Sequence, residues 1–339
     1  MTSGNDKTPP KFGTVFAPRM AICWYKDGAW SEPVIEPLQN LPLHPAAHAL
    51  HYSSSIFEGF KAYRWRDGSV HLFRLDRHMA RMENSAELLC LQFPGREVVV
   101  GMVQEAVASC RDEIPDPPGA LYVRPVLIGT LPDIGAAAIP ATEFCLYVLL
   151  SPVGDYFAGG LRPLRILVDE EHYRTAPHLG VVKAGANYAA ALKNIVTARS
   201  EHQVDQVLFC PGGDVQETGA ANFLLIRDGH ILTKRLDASF LHGVTRDSVL
   251  TLGRDLGYKI EERDFTVAEM LEWCRDGEAA LSGTAAVLTP VGTLVHKGKE
   301  IQVGGGGVGE HTGRLREELV RIQCGESADR HNWLTRVDG

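Results

Sequence analysis

The 339-residue chain is short of several things, and each shortage removes a class of protein. It lacks an excess of positive charge: 34 Lys and Arg stand against 42 Asp and Glu, a formal net charge of −8. Binding a phosphate backbone or an anionic membrane rests on the opposite balance, so neither nucleic acid nor membrane is an expected partner. It lacks any apolar run near the roughly 18–20 residues of a membrane-spanning helix. The best candidate, Phe144 to Leu150, has strand length. The stretch Thr2 to Lys11 is polar and has no apolar signal core, so a cytoplasmic location is expected. The seven cysteines (23, 90, 110, 145, 210, 274 and 324) are scattered, odd in number and never spaced C-x-x-C. That pattern fits reduced thiols, not a disulfide frame or a zinc site, and no metal is expected. Internal repeats and low-complexity tails are also lacking.

What remains is ordinary for a globular protein: 45% apolar residues, 22% charged, and length for two domains with real cores. The spacing of apolar residues predicts two α/β halves. In the first, Ala21 to Trp24 and Ala29 to Trp30 flank a Lys26-Asp27-Gly28 hairpin turn. Ser69 to Phe73 reads as a strand. Asp76 then reads as the N-cap of a helix carrying Leu75, Met79, Met82, Ala86 and Leu89. A helix is expected over Glu97 to Cys110, and buried strands over Leu121 to Ile128 and Phe144 to Leu150. The Pro/Gly/Ala-rich loop between these strands, 129–140, is long enough to be functional. Residues 152–163, rich in Pro and Gly, are the expected linker, dividing a smaller domain 1–151 from a larger one 164–339.

In the second half, a strand over Arg165 to Asp169 leads to a helix over Tyr188 to His202. Gln206 to Cys210, Val215 to Thr218, Asn222 to Ile226 and His230 to Thr233 read as meandering strands. A helix over Arg246 to Leu256 would end at Gly257. Thr266 with Glu269 forms a capping box, and a last helix is expected over Arg314 to Gln323.

Three segments carry chemistry. Val182-Lys183-Ala184-Gly185-Ala186-Asn187-Tyr188 sets one lysine among apolar residues at a helix start. Low-dielectric surroundings disfavour an ammonium and free the amine to attack a carbonyl. Taken alone, such a lysine reads better as one that snorkels to solvent. Leu241-His242-Gly243-Val244-Thr245-Arg246 brings a glycine, a hydroxyl and free amides to a helix start, an anion site worth about 0.3–2 kcal/mol from the dipole. Ser282-Gly283-Thr284-Ala285 offers a second turn rich in N–H groups, though each turn alone could be no more than a cap. A reactive amine with two anion sites suggests a phosphate-bearing carbonyl cofactor, pyridoxal 5'-phosphate. A rival signal, Gly304-Gly305-Gly306-Gly307-Val308-Gly309, satisfies G-x-G-x-x-G. It lacks the βαβ unit and following acid of a dinucleotide site and reads as a flexible loop.

The run His51-Tyr52-Ser53-Ser54-Ser55-Ile56-Phe57-Glu58-Gly59-Phe60-Lys61-Ala62-Tyr63 resembles a signature of the class IV aminotransferases. So do Leu121-Tyr122-Val123-Arg124-Pro125, the segment 183–188, Gln216-Glu217-Thr218-Gly219-Ala220-Ala221-Asn222, Gly243 to Arg246 and Ser282 to Ala285. They fall in the family's order from about residue 20 to 335. The 122–129 stretch and Pro152-Val153-Gly154-Asp155-Tyr156-Phe157 are similar to the branched-chain amino-acid aminotransferases.

This resemblance implies a two-domain fold-type IV enzyme, D-amino-acid aminotransferase-like, with a small N-terminal α/β domain and a larger C-terminal pseudo-barrel domain. It makes Lys183 the catalytic Schiff-base lysine, Glu217 the partner of the pyridine nitrogen and Tyr188 that of the ring hydroxyl. Arg81 would clamp the phosphate with Val244, Thr245 and Thr284. By helix pattern alone, Arg81 shares a face with Arg77 and reads as solvated. Phe57 and Tyr122 would wall the substrate pocket with Tyr188, Ala285 would touch substrate, and Arg124 would meet the γ-carboxylate of glutamate. A structural ion pair at a strand end is the lesser alternative for Arg124. Tyr52 and the 129–140 loop would act across a homodimer interface.

The implied activity is ping-pong transamination of Leu, Ile and Val with 2-oxoglutarate. The expected partners are therefore small-molecule substrates: branched-chain amino acids, glutamate and their 2-oxo acids. Ala220 and Ala221 depart from relatives that carry a hydroxyl after the glycine. Ala286 and Thr289 stand where some relatives have a redox C-x-x-C. The alternatives are a D-amino-acid aminotransferase, an aminodeoxychorismate lyase, a non-catalytic dimeric scaffold and, on the glycines alone, a nicotinamide dehydrogenase.

Overall fold

A computed structural model of the chain describes residues 12–154 and 160–338. Asp155, Tyr156 and Phe157 of the 152–157 motif, with Ala158 and Gly159 of the expected linker, lie outside the described residues.

The first sheet is built from β1 (Arg19–Lys26), β2 (Ala29–Trp30), β3 (Val34–Pro37), β4 (Ser55–Phe57), β5 (Phe60–Arg64), β6 (Val70–Phe73), β7 (Ala120–Gly129) and β8 (Phe144–Val153). The expected hairpin pairs Tyr25 with Trp30, and β7 and β8 pair along their full length, from Ala120 opposite Val153 to Gly129 opposite Phe144. Three helices belong to this half: α1 (His48–Tyr52), α2 (Leu75–Leu88) and α3 (Arg96–Ser109). The apolar spacing read for α2 puts Leu75, Met79, Met82 and Ala86 in the core with Val99, Met102, Val103 and Ala106 of α3. Each such fully buried large side chain contributes on the order of 1.5–3 kcal/mol. One detail of α2 differs from expectation. Asp76 lies inside the first turn, and the residue before the helix is Arg74, held at φ 56 in the left-handed region. Its guanidinium donates to Ser248 and Asp247 in the second half of the chain, 2.8 and 2.6 Å away, and these contacts fix that conformation.

The second sheet contains β9 (Leu164–Asp169), β10 (Gln206–Phe209), β11 (Asn222–Arg227), β12 (His230–Thr233), β13 (Lys259–Glu262), β14 (Glu278–Gly283), β15 (Val287–His296) and β16 (Lys299–Gln302). Its order is β10-β9-β15-β14-β11-β12-β13, with β16 on β15. Pairings of β9 with β10 and β15 are parallel, while β11, β14 and β15 run antiparallel. Four helices accompany it: α4 (Gly185–His202), α5 (Val244–Asp255), α6 (Val267–Trp273) and α7 (Glu310–Gln323). Gly257 follows α5 at φ 87, the conformation a terminating glycine supplies. The Thr266 hydroxyl accepts from the Glu269 amide at 3.2 Å, as expected. The Glu269 carboxylate turns instead to Arg263, so half of the capping box forms.

One further expectation is corrected. Val215 to Thr218 is no strand: it makes single bridges, Leu208 with Thr218 and Glu217 with Asn222, because the chain must turn there to bury Glu217. The last strand, β17 (Leu334–Val337), pairs with β6 of the first sheet. A shared core continues this link, packing Tyr63, Phe73, Tyr122 and Val153 against Leu224, Val249, Leu288, Leu315 and Leu319.

Candidate active site

Lys183 ends the loop between β9 and α4, and Asn187 builds that loop from inside. Its side-chain amide, 5% exposed, donates to the Leu179 and Val182 carbonyls at 2.8 Å, and its oxygen accepts from Thr175. The Lys183 backbone is clamped as well. Its amide donates to Ser85 of α2 at 3.2 Å, and its carbonyl accepts from the Phe57 amide of β4 at 3.0 Å. The Nζ atom stands 3.1 Å from the Tyr188 hydroxyl, with the Phe57 ring 5.0 Å away.

Phe57 carries the site onward. Its ring lies 5.4 Å from that of Tyr188, and the Arg124 guanidinium covers its other neighbourhood at 4.5 Å. Arg124 also sits over the Tyr122 ring at 5.1 Å and donates to its hydroxyl at 2.7 Å. It makes no carboxylate pair among the described residues, so the structural ion pair that its position also allowed is absent. Its Nε has no hydrogen-bond partner there either. The Tyr122 hydroxyl occupies the space beside Gly59, where a Cβ would fall 1.9 Å from it. Gly59 in turn accepts from the Thr284 hydroxyl at 3.0 Å, and Lys61 donates to the Ala285 carbonyl at 3.0 Å. Gly59 and, from β5, Lys61 thereby fix the 282–285 turn.

On the opposite side, Arg81 departs from its helix pattern. Arg77 and Arg81 are one turn apart, yet their side chains are 56% and 11% exposed. Glu58, wholly buried, draws Arg81 in with two contacts of 2.6 and 2.9 Å and also pairs with His78 Nδ1 at 2.7 Å. Burial pushes the Glu58 carboxyl up, but the charges of Arg81 and His78 more than reverse this and hold it well below its ordinary value. Arg81 Nη1 donates to the His242 carbonyl at 3.0 Å, beside Gly243, the residue before α5. No side chain caps α5, so the Val244 and Thr245 amides face outward beside a cation, and both residues are buried. Gly243 is required there, since a Cβ would fall 1.9 Å from the Asn222 side-chain oxygen.

Glu217 is 3% exposed. Its Oε1 accepts from the Leu241 amide at 2.9 Å and its Oε2 from Asn222 at 3.1 Å. Arg174 Nε lies 2.7 Å from Oε1. Burial raises the Glu217 carboxyl above its ordinary value, against the lowering charges of Arg174, Lys183 and Arg81.

The structure therefore joins Lys183, Tyr188, Phe57, Tyr122 and Arg124 in one chain of contacts and links Thr284 and Ala285 to it through Gly59 and Lys61. Tyr52 is placed elsewhere: its hydroxyl donates to the Ile134 carbonyl in the 129–140 loop. Sequence reasoning gave no role to Glu58, Arg174, Asn187 or Asn222. Glu58 and the two asparagines stood inside quoted motifs, which was their only signal; Arg174 had none.

The glycine cluster is excluded as a nucleotide site. β16 runs antiparallel to β15, and the α7 start is already filled by Glu278, which accepts from the His311 and Thr312 amides at 2.9 and 2.8 Å. The cluster is also a defined turn, with Gly304 donating to the Cys274 carbonyl and Gly306 to that of Val303.

Residues 55–294 match the model of a family described as amino-transferase class IV. A probable branched-chain-amino-acid aminotransferase of Streptomyces coelicolor is 39% identical over 96% of this chain and 92% of its own length. Branched-chain-amino-acid aminotransferase 2 of Bacillus subtilis is 36% identical over 98% of this chain and 93% of its own. Among solved structures, a T.th. branched-chain amino acid aminotransferase with pyridoxamine 5'-phosphate superposes with a TM-score of 0.79. It is 27% identical, covering 96% of this chain and 100% of its own. The chain therefore belongs to the class IV aminotransferases, pyridoxal-phosphate enzymes of fold type IV, and within them to the branched-chain amino-acid aminotransferases.

Proposed function

We propose that this chain transfers the amino group of leucine, isoleucine or valine to 2-oxoglutarate through the site centred on Lys183. The observation that carries the reading is the placement of the Lys183 amine against Tyr188 and Phe57, with the Arg124 guanidinium over the same Phe57 ring.

The residues present fit pyridoxal phosphate. The uncapped start of α5 beside Arg81 suits a phosphate, and the buried Glu217 carboxylate suits a ring nitrogen that must keep its proton. When bound, the group supplies an electron sink for the substrate α-carbon. Arg81, Val244, Thr245 and Thr284 would hold its phosphate, and Tyr188 its ring hydroxyl. Lys183 Nζ would take the proton from the substrate α-carbon and hold it for return, a role that suits an amine held by both its backbone groups. Phe57 and Tyr122 form an apolar wall, which separates aliphatic side chains by only about 1–3 kcal/mol per methylene and so admits all three. Arg124, near the Phe57 and Tyr122 rings and bonded to the Tyr122 hydroxyl, would receive the second carboxylate of glutamate. Ala285, its carbonyl fixed by Lys61, would border the substrate carboxylate.

We place the enzyme in the cytoplasm, its seven cysteines all being free thiols. No helix among the described residues is long and apolar enough to cross a membrane. We also assign it a homodimer, with Tyr52 and the 129–140 loop reaching the second copy. Leu50, Ile134 and Ile139 are 62%, 67% and 62% exposed around them, a surface that suits burial. The division into a smaller domain ending near residue 151 and a larger one from 164 belongs to the same reading.

The test is the visible absorption of the protein loaded with pyridoxal phosphate. L-leucine added without an oxo acid should abolish the band, and 2-oxoglutarate should restore it. A band indifferent to leucine would overturn the substrate assignment, and no band at all would overturn the site.

A further inference from the structure

We infer that Arg174 is the positioning residue for Glu217: its guanidinium holds the carboxylate aimed and ionised, so that the ring nitrogen opposite keeps the proton. The inference rests on the assignment of Glu217 to that nitrogen.

The two side chains are 4% and 3% exposed, and Arg174 Nε is 2.7 Å from Glu217 Oε1. A carboxylate this far from water takes up a proton unless a cation or strong donors oppose it. Two neutral donors are present, the Leu241 amide and the Asn222 side chain. The charged groups that bear on Glu217 are Arg174, Lys183 and Arg81. Arg81 is already committed to Glu58 by two hydrogen bonds, and Lys183 must lend its amine to chemistry. Arg174 has no such second duty: its remaining hydrogen bond, from Nη2 to the Gly180 carbonyl at 3.2 Å, fixes it within its own loop. The Nε contact is off the N–H direction, so Arg174 acts chiefly through charge.

The proton balance is simple. Glu217 and the ring nitrogen share one proton, held either as a carboxylic acid facing a neutral nitrogen or as a carboxylate facing a protonated one. A cation fixed behind the carboxylate favours the second arrangement. Placing Arg174 nine residues before Lys183 in one loop lets a single segment set both the amine and the charge of the opposing acid.

The test begins without cofactor. Protein carrying isotope-labelled glutamate is titrated by NMR, with the Glu217 signal identified by its loss in Glu217→Gln. In Arg174→Met, Glu217 should protonate at least about one pH unit higher than in the parent, a tenfold change in proton affinity. Arg174→Lys should recover part of the difference. Should the Met variant fail to fold by circular dichroism, Arg174→Gln carries the same comparison. Unchanged titration in a folded, charge-removed variant overturns the inference. A second measurement uses pyridoxal phosphate labelled at the ring nitrogen. The nitrogen signal should move toward its unprotonated position in Arg174→Met and return in Arg174→Lys; an unmoved signal also counts against Arg174. If Glu217→Gln leaves that nitrogen signal untouched, the assignment of Glu217 fails, whereas the cofactor-free titration still decides whether Arg174 governs Glu217.

Discussion

Glu58 should matter to stability through Arg81 and to cofactor binding only through the aim of that arginine. Glu58→Gln keeps the volume of the side chain and removes its charge. The buried guanidinium of Arg81 then faces an amide with one acceptor oxygen in place of a carboxylate that took both its contacts. Breaking a buried ion pair from one side costs about 3–5 kcal/mol, whereas removing both charges is often nearly neutral. Arg81→Met alone leaves Glu58 buried with His78 and the Gly59 amide beside it and should cost a similar amount. The double variant should therefore cost far less than the roughly 6–10 kcal/mol that the two single variants sum to. The assay is urea unfolding of the cofactor-free protein, followed by fluorescence and circular dichroism together, since two sheets can unfold in separate steps. Pyridoxal-phosphate affinity should behave differently, falling in Arg81→Met and falling equally in the double variant. Costs that simply add, or affinity that recovers in the double variant, would refute the coupling.

Lys183→Ala should fold, retain both sheets by circular dichroism, and lose at least about 10³-fold in turnover with leucine, the scale of a missing general acid and base. Arg124→Gln should raise KM for 2-oxoglutarate by about 10- to 100-fold, the worth of one charge-assisted hydrogen bond, while leucine alone still bleaches the loaded protein at near parental concentration. Equal losses for both substrates would show that Arg124 only props the pocket. Gly59→Ala drives a methyl into the Tyr122 hydroxyl and should cost about 1–3 kcal/mol, with the Arg124 phenotype appearing alongside on a thermal and kinetic comparison. For pH, the folded Glu58 carboxyl lies below its unfolded value, so its stabilisation is present above about pH 4.3 and is lost as the pH falls. The parent should lose stability more steeply than Glu58→Gln on acidification; parallel profiles would contradict the assignment.

What could be read from the sequence follows from what is local. The Thr266 cap, the Gly257 stop and the apolar face of α2 depend on neighbours three or four residues away, and each is present as expected. Arg77 and Arg81 show the limit. Helix periodicity treats them alike, and only Glu58, 23 residues upstream of Arg81, separates a buried ligand group from a solvated one. Val215 to Thr218 has strand composition, but satisfying Glu217 from Leu241 and Asn222 outweighs ladder formation and breaks the strand into bridges. Arg74 replaces Asp76 at the α2 boundary because Asp247 and Ser248 draw it there from 173 and 174 residues away.

The same non-locality explains why the site's motifs are separated along the chain yet form one device. A reactive side chain must be held within a few tenths of an ångström, and no residue can be fixed so tightly by its own segment. Lys183 is pinned by Ser85 and Phe57, Thr284 by Gly59, Ala285 by Lys61, Arg81 by Glu58, and Glu217 by Leu241 and Arg174. Each of these contacts pairs a residue proposed to touch the reaction with one from another motif or loop. The first sheet supplies most of the holders and the second most of the held, which gives the short β4–β5 segment its density of function. Its residues 57–61 provide an aromatic ring beside Lys183, the counter-ion of Arg81, the glycine that seats Tyr122 and the lysine that fixes the 282–285 turn. A change anywhere in those five residues should therefore alter more than one property of the enzyme, whereas a change in Arg174 should alter one.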